Sequence, residues 1–330
     1  MSIRPMKLPR DLDLVLQMIK DSFQYPENPD WNIQQDTLDS IDETVDGMKK
    51  LWPLFKLFGI FSYQIRNNFK GYFWEEEGKP AGLVTIHSQG KDEWLVGNIG
   101  VLPEFRRRGI ARKLFRHVLE YFREQNCKRI YLQVIDGNLP AYTLYKDLGF
   151  VDFTGNCEME HLGGSIEAMQ LPEGYQEQVL EQFDWQIRYQ HVQKITPEIV
   201  TKFSPIREKD FKVDLFRRIL FPLMEKAQGM KQVSFVYHDK ISGEIAGRIT
   251  VGLRTRPGGV CNVFIRLTSG HEALGDYMIN KILFLCHEKS PDRRISLDLP
   301  IWQEDAIQAA EKAGFTTRVK FRQMALILEE

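Results

Sequence analysis

Apolar residues recur in the first half of the chain at two distinct spacings. Leu12, Val15, Leu16 and Ile19 fall at helical spacing between Asp11 and Ser22. Tyr72 to Trp74, Leu83 to Ile86 and Leu95 to Val101 are short runs rich in branched and aromatic residues, divided by glycine-bearing turns, and read as strands. From Gly109 to Asn126 the helical spacing returns, with Ile110, Leu114, Val118 and Tyr121 on one side. Arg129 to Val134 reads as a further strand. Asn138 then has the chemistry of a helix cap, Pro140 suits the first turn, and Gly149 suits the end. Helices interleaved with strands predict an α/β layer fold.

The pattern repeats. Shifted by 165 residues, Gly78 to Thr85 falls on Gly243 to Thr250, with Ala81-Gly82 on Ala246-Gly247. Arg129-Ile130 falls on Arg294-Ile295, and Gly149-Phe150 on Gly314-Phe315. The matches gather at turns and strand starts, where glycine has a backbone reason to stand. A solenoid repeats every 20–50 residues or so, so this longer period predicts two domains of one fold. The expected domains are 1–165 and 175–330, joined through the glycine-bearing stretch from Leu162 to Gly174.

Composition narrows the class. The 330 residues are 43% hydrophobic and 27% charged, which excludes disordered and fibrous chains. Lys plus Arg (44) and Asp plus Glu (45) nearly cancel, so no general polyanion-binding surface is expected and nucleic acid is not an expected partner. The opening MSIRPMKLPRDLD has no apolar signal core. The most apolar run, Leu51 to Phe61, is about half a membrane span and contains Lys56, Pro53 and Gly59. Cys127, Cys157, Cys261 and Cys286 are far apart in sequence, giving no metal motif and no disulfide framework. A cytoplasmic protein without membrane attachment is expected. The sequence leaves its oligomeric state open.

The chemistry concentrates where a strand meets a helix. Asn98-Ile99-Gly100-Val101-Leu102-Pro103 runs into Arg106-Arg107-Arg108-Gly109-Ile110-Ala111. A helix start presents unpaired N–H groups and the positive end of the helix dipole. Gly109 lets the backbone approach a ligand closely, and successive N–H groups there make an anion nest. The expectation is a pyrophosphate site. The competing readings are a solvated helix start and a nucleic-acid patch, the latter without an aromatic stacking platform beside it.

Arg106-x-x-Gly109-x-Ala111 after a strand end resembles the acyl-CoA signature of the GCN5-related N-acetyltransferases (GNAT). Leu132 to Phe150, with Asn138, Ala141, Leu144, Tyr145 and Gly149, resembles the family's second signature in the form found in ribosomal-protein N-terminal acetyltransferases. The resemblance covers residues 1 to about 162 and reaches 175–330 only in the scaffold. It implies two tandem GNAT-like domains, each a mixed, mostly antiparallel sheet flanked by helices. It further implies acetyl-CoA in an opening between the strands at 95–101 and 129–134. Ile99, Gly100 and Val101 would lie along the pantetheine, and Arg106, Arg107, Arg108, Gly109, Ile110 and Ala111 around the pyrophosphate. Asn138 would contact the cofactor, and Tyr145 would face the sulfur as general acid. The implied activity is transfer of an acetyl group to a primary amine of a small molecule or peptide N-terminus. The alternative is a non-catalytic acyl-CoA-binding or sensing module.

Two departures stand out. The ribosomal-protein group has a glutamate base after the position of Leu132, and this chain has Gln133, which cannot take a proton at neutral pH. His87 and Glu93 are the replacements nearest by strand position. Residues 48–69, with Trp52, Phe55, Phe58 and Phe61, are either a buried helix pair or a lid over the acceptor. In the second half, the offset replaces the arginine run by His271-Glu272-Ala273 and Tyr145 by Ala310, and Asp276 joins Glu272 near the equivalent helix start. The second domain is expected to keep the scaffold and lack the acyl-CoA site.

Overall fold

A computed structural model describes residues 1–32, 69–90, 92–181, 183–213, 229–254, 259–291 and 293–328, with Lys49, Arg218 and Pro222 besides. The reading of residues 48–69 as helix pair or lid lies almost entirely outside the described residues. The chain forms two compact units. Unit 1 is Met1–Asp152 with Gln323–Glu330, and unit 2 is Phe153–Arg322.

In unit 1, β1 (Ser2–Pro5) is followed by helix α1 (Leu12–Ser22) and then β2 (Phe69–Glu76), β3 (Lys79–Ser88) and β4 (Glu93–Val101). Helix α2 (Ile110–Glu124) crosses to β5 (Arg129–Ile135), and α3 (Leu139–Asp147) follows. The strands lie in the order β1-β2-β3-β4-β5. All neighbours are antiparallel except β4 and β5, which are parallel, as a helical crossover requires. The sheet is therefore mixed and mostly antiparallel, as expected.

Each face of this sheet carries its own helix. Val84 and Ile86 of β3 pack with Ile110, Leu114, Phe115 and Val118 of α2. Leu83, pointing the opposite way on the same strand, packs with Val15, Met18 and Ile19 of α1. Gly82 is needed for closeness, since a Cβ there would stand 3.1 Å from both the Gly100 carbonyl and Ile110.

In unit 2, β6 (Val151–His161, of which Phe153 onward belongs here) leads to β7 (Tyr175–Val179) and helices α4 (Trp185–Ile195), α5 (Glu198–Phe203) and α6 (Glu208–Phe211). Then come β8 (Met230–Asp239), β9 (Ile245–Arg254), β10 (Cys261–Leu267), α7 (Glu272–Lys289), β11 (Ile295–Pro300), α8 (Glu304–Lys312) and β12 (Thr316–Ile327). Strand order is β6-β11-β10-β9-β8-β7, again with one parallel pair, β10 with β11. A shift of 165 residues carries β3 onto β9, β5 onto β11 and α3 onto α8, within a residue at each end. The repeat seen in the sequence is a repeat of structure.

The unit boundaries differ from the sequence division at 165/175, for a reason the repeat conceals. Nearly all of β6 lies in unit 2, and the end of β12, from Gln323 onward, lies in unit 1. Cys157 and Met159 of β6 are fully buried in the core of unit 2, and β6 pairs antiparallel with β11. Met324, at the end of β12, is fully buried in the core of unit 1, where Leu326 and Leu328 pack beside it.

Candidate functional site

The site of unit 1 is built by a strand that parts from its neighbour. β4 and β5 are paired from Glu93 with Arg129 to Val96 with Leu132, and the pairing stops there. At that point the β3–β4 register skips Gly97, a bulge that bends β4 away. Gly97 has no room for a side chain, since a Cβ would stand 2.7 Å from His87 Nε2.

Beyond the bulge β4 remains paired with β3 on one side only. The Leu102 N–H donates to the Ala81 carbonyl at 3.0 Å. Antiparallel alternation then turns the N–H and C=O of Gly100 toward β3, and those of Ile99 and Val101 away from it. Ile99 and the Val101 N–H therefore offer a strand edge to a cavity of about 710 Å³, which the two residues line together with Gly100; the Val101 carbonyl is taken by Arg106. Gly100 has a second reason to be glycine. A side chain there would collide with Ser22 at the end of α1.

The turn into α2 forms the other wall. Arg107 (φ 63) and Gly109 (φ 74) both adopt left-handed conformations, and no side chain caps the first turn of the helix. Nothing stands near the position a Gly109 Cβ would take. Glycine is there for its backbone conformation, and the N–H groups that follow face an open site. Arg107, Gly109, Ile110, Ala111 and Arg112 all line the cavity.

The three arginines divide their work. Arg106 donates to the carbonyls of Val101 (3.2 Å), Ser22 (3.1 Å) and Gln24 (3.0 Å), and its guanidinium lies 4.5 Å from the centre of the Tyr25 ring. Its side chain thus ties α1 and the following loop to the end of β4, although the residue still touches the cavity. Arg108 turns back to the Glu104 carbonyl at 2.9 Å and lies outside the cavity lining. Arg107 is exposed and lines the cavity. Arg112 is paired with Asp147 at 2.6 Å.

Tyr145 closes the inner end. It is 5% exposed, packed against Phe115 and Phe150, and lines the cavity. Burial pushes its hydroxyl well above the ordinary tyrosine range, with the neighbouring Tyr25 adding to the rise. Asn138 caps α3, accepting from the Ala141 N–H at 3.2 Å, and also lines the cavity. Its two readings, as cap and as ligand contact, are compatible in one geometry.

Neither expected base reaches the cavity. Burial lowers the pKa of His87, which packs edge-on to Phe69 at 4.6 Å. Glu93 lies at the closed end of the β4–β5 pair, 3.4 Å from Arg129. Gln133 is exposed on β5 and also lies outside the lining.

The loop after α1 supplies what sequence reasoning missed. Tyr25, Pro26, Glu27, Asn28 and Trp31 form one side of the cavity. The Tyr25 hydroxyl bonds to Asn138, and its N–H donates to Asn32 Oδ1 at 2.6 Å. Trp31 meets the Tyr25 ring edge-on at 5.6 Å. Two aromatics flanking Pro26 and Pro29 were the available signal.

In unit 2 the corresponding opening is filled. β9 and β10 run without a bulge from Val251–Val263 to Gly247–Leu267. Gln303, at the offset position of Asn138, donates to the Leu267 carbonyl (3.0 Å) and accepts from its N–H (2.7 Å). A side-chain amide occupies the strand edge that faces the cavity in unit 1. At the helix start, His271 Nδ1 is 2.8 Å from the Tyr175 hydroxyl, and Asp276 pairs with Lys312.

Residues 32–150, which take in β4, the left-handed turn and the start of α2, match the model of the Acetyltransferase (GNAT) family. The chain is similar to that family over residues 32–150, a stretch that includes Arg107, Gly109 and Tyr145. It is similar to the [ribosomal protein bS18]-alanine N-acetyltransferase of Salmonella typhimurium, 36% identical over 63 residues, or 19% of this chain and 43% of that protein. The chain thus spans about half or less of the length of such curated relatives. In fold it resembles a GCN5-related N-acetyltransferase from Sphaerobacter thermophilus (TM-score 0.66, 13% identity, 99% of this chain and 96% of that one). It also resembles a tandem GNAT protein from the clavulanic acid biosynthesis pathway (TM-score 0.55, 12% identity, 100% and 99%). Among the described residues, no helix is long and apolar enough to cross a membrane.

Proposed function

We propose that unit 1 is the catalytic half of an N-acetyltransferase that moves an acetyl group from acetyl-CoA to a primary amine. The observation that carries this reading is the strand edge of Ile99 and the Val101 N–H leading into the uncapped start of α2 within one cavity. A pantetheine arm carries amides that pair with a strand edge, and a pyrophosphate suits a helix start with open N–H groups. Arg107 adds charge to that end. Tyr145 stands at the other end, where the thioester would lie.

The chemistry divides as follows. The amine nitrogen attacks the thioester carbonyl carbon, the C–S bond breaks, and the sulfur leaves as thiolate. A strand N–H beside the carbonyl oxygen stabilises the developing charge. The raised pKa of Tyr145 keeps its hydroxyl protonated, so it stabilises the thiolate chiefly by donating a hydrogen bond. The proton lost by the amine restores the thiol. Among the described residues, no buried carboxylate or histidine lines the cavity to take a proton from the attacking amine; Glu27 is exposed at its rim. This favours an acceptor that is partly neutral before it binds. An α-amino group, with a pKa of about 7.7–8.0, meets that condition better than a lysine at about 10.4.

The lack of a buried base is also what favours the second reading, an acyl-CoA-binding module without turnover. One assay separates them. Thiol release from acetyl-CoA is followed across a panel of small amines and short peptides with free N-termini. Acceptor-dependent release supports the transferase. Acetyl-CoA binding with no release for any amine selects the sensor.

A further inference from the structure

The arginines missing from the helix start of unit 2 are matched by arginines on another part of its sheet. Arg248 and Arg266 stand at the offset positions of Leu83 and Val101, of which Leu83 is fully buried core in unit 1. They are direct cross-strand partners on β9 and β10. Residues directly opposite share a face of the sheet, and like charges placed so repel each other. This face points away from the core, because Gly247, Ile249 and Ile265 turn toward α7 and the apolar cluster.

Helix α4 contributes to the same cluster. Arg188 and Arg266 together depress the Arg248 guanidinium to about 9, after burial as the main cause. His191 donates from Nε2 to the Thr268 hydroxyl at 3.1 Å, because that hydroxyl gives its own proton to the Ile245 carbonyl at 2.8 Å. The imidazole is therefore neutral, with a bare Nδ1. Asp298 is the nearby carboxylate, and both its oxygens accept from Asn156 Nδ2 at 3.0 and 2.9 Å. Asp184 lies near Arg188.

One buried donor in this cluster, Arg248 Nε, has no hydrogen-bond partner among the described residues, whereas Thr154 Oγ1, also unpartnered, lies three strands away from β9. Thr154 lies on β6, on the same side as Asn156. Orphaned buried donors are uncommon, and one carried by a member of a cross-strand arginine pair points to an acceptor that would satisfy it. Arg188, Arg248 and Arg266 are each only partly buried, so solvent reaches the cluster.

We propose that this face of unit 2 binds a small oxyanion, a carboxylate or phosphate group, between Arg248 and Arg266 with Arg188 beside them. Two planar guanidinium groups match either group through paired N–H donors. The bound charge removes the repulsion between them. The site is separate from the acyl-CoA cavity, which lies wholly in unit 1.

The test uses the full chain, with inorganic phosphate and acetate as separate probes at constant ionic strength and chloride as the reference. Hydrogen exchange is followed in α4, β9 and β10. Either probe should slow exchange of α4 amides about tenfold near saturation, and the effective probe names the group. Arg248→Gln and Arg266→Gln should each abolish that protection. Both should keep the wild-type circular dichroism spectrum and melt at or above the wild-type temperature without probe, because a repulsion has gone. Protection confined to residues 106–112, or none with either probe, overturns the proposal. So does protection that survives both substitutions.

Discussion

Arg106 and Arg107 are neighbours in sequence and opposites in role. Arg106 is fixed on three carbonyls and an aromatic ring, whereas Arg107 is exposed and lines the cavity. Arg107→Ala should weaken acetyl-CoA binding by about 1–2 kcal/mol, the range for one charge-assisted contact, and leave stability nearly unchanged. Arg106→Ala should lower the melting temperature, because three carbonyls lose their donor. Arg108→Ala should do neither. Calorimetry and thermal melts on the three variants check this, and equal affinity losses from all three would contradict it. Tyr145→Phe keeps the buried ring and removes the hydroxyl. Acetyl-CoA affinity should hold while turnover falls about 10²–10⁴-fold; turnover like wild type would remove the hydroxyl from the mechanism. The sequence marked all these residues as one cluster. Which arginine is left exposed at the cavity was not legible, because that depends on where α1 and its following loop end, some 80 residues earlier.

At the scale of elements, the opening in unit 1 rests on a bulge, and its absence in unit 2 rests on a glutamine. Gln303 is 6% exposed and satisfies both backbone groups of Leu267. Gln303→Ala should cost unit 2 about 1–3 kcal/mol, since buried N–H and C=O groups lose their partner. Urea unfolding would show it, and an unchanged midpoint would mean that the strand edge is solvated after all. The order and type of the main elements were legible from periodicity and caps: Asn138 caps its helix and Gly149 follows it, as their positions predicted. The bulge was not, because Gly97 resembles any other strand glycine until its clash with His87 is seen. The Tyr25–Trp31 wall was not legible either, since loop aromatics carry no period.

For the molecule as a whole, the two halves have parted in charge while keeping one scaffold. The full chain should bind one acetyl-CoA, with affinity weakened by Arg107→Ala. Two equivalents in a calorimetric titration would overturn the account of unit 2 as lacking an acyl-CoA site. The repeat made the two-unit plan legible from glycine positions alone. It could not show that β6 and the end of β12 each join the other half's unit, because a strand's sequence records which of its faces is apolar and not which neighbour it chooses. Ending the chain after Arg322 removes Met324, Leu326 and Leu328 from the core of unit 1. Loss of one large buried side chain costs about 2–5 kcal/mol. The shortened chain should therefore lose acetyl-CoA binding, although the deleted residues lie outside the cavity lining. Binding at wild-type affinity would show that unit 1 is complete without them.

That placement of Met324 also sets an order in time. During synthesis, residues 1–152 emerge long before the strand that finishes their core, and all of unit 2 is made in between. The first half must wait, holding the side of β5 that β12 will cover without its partner, until translation has passed the second. A message broken anywhere within the second half thus yields no finished first half. The arrangement makes the finished core of unit 1 depend on residues made after unit 2, without adding a single residue to the cavity lining.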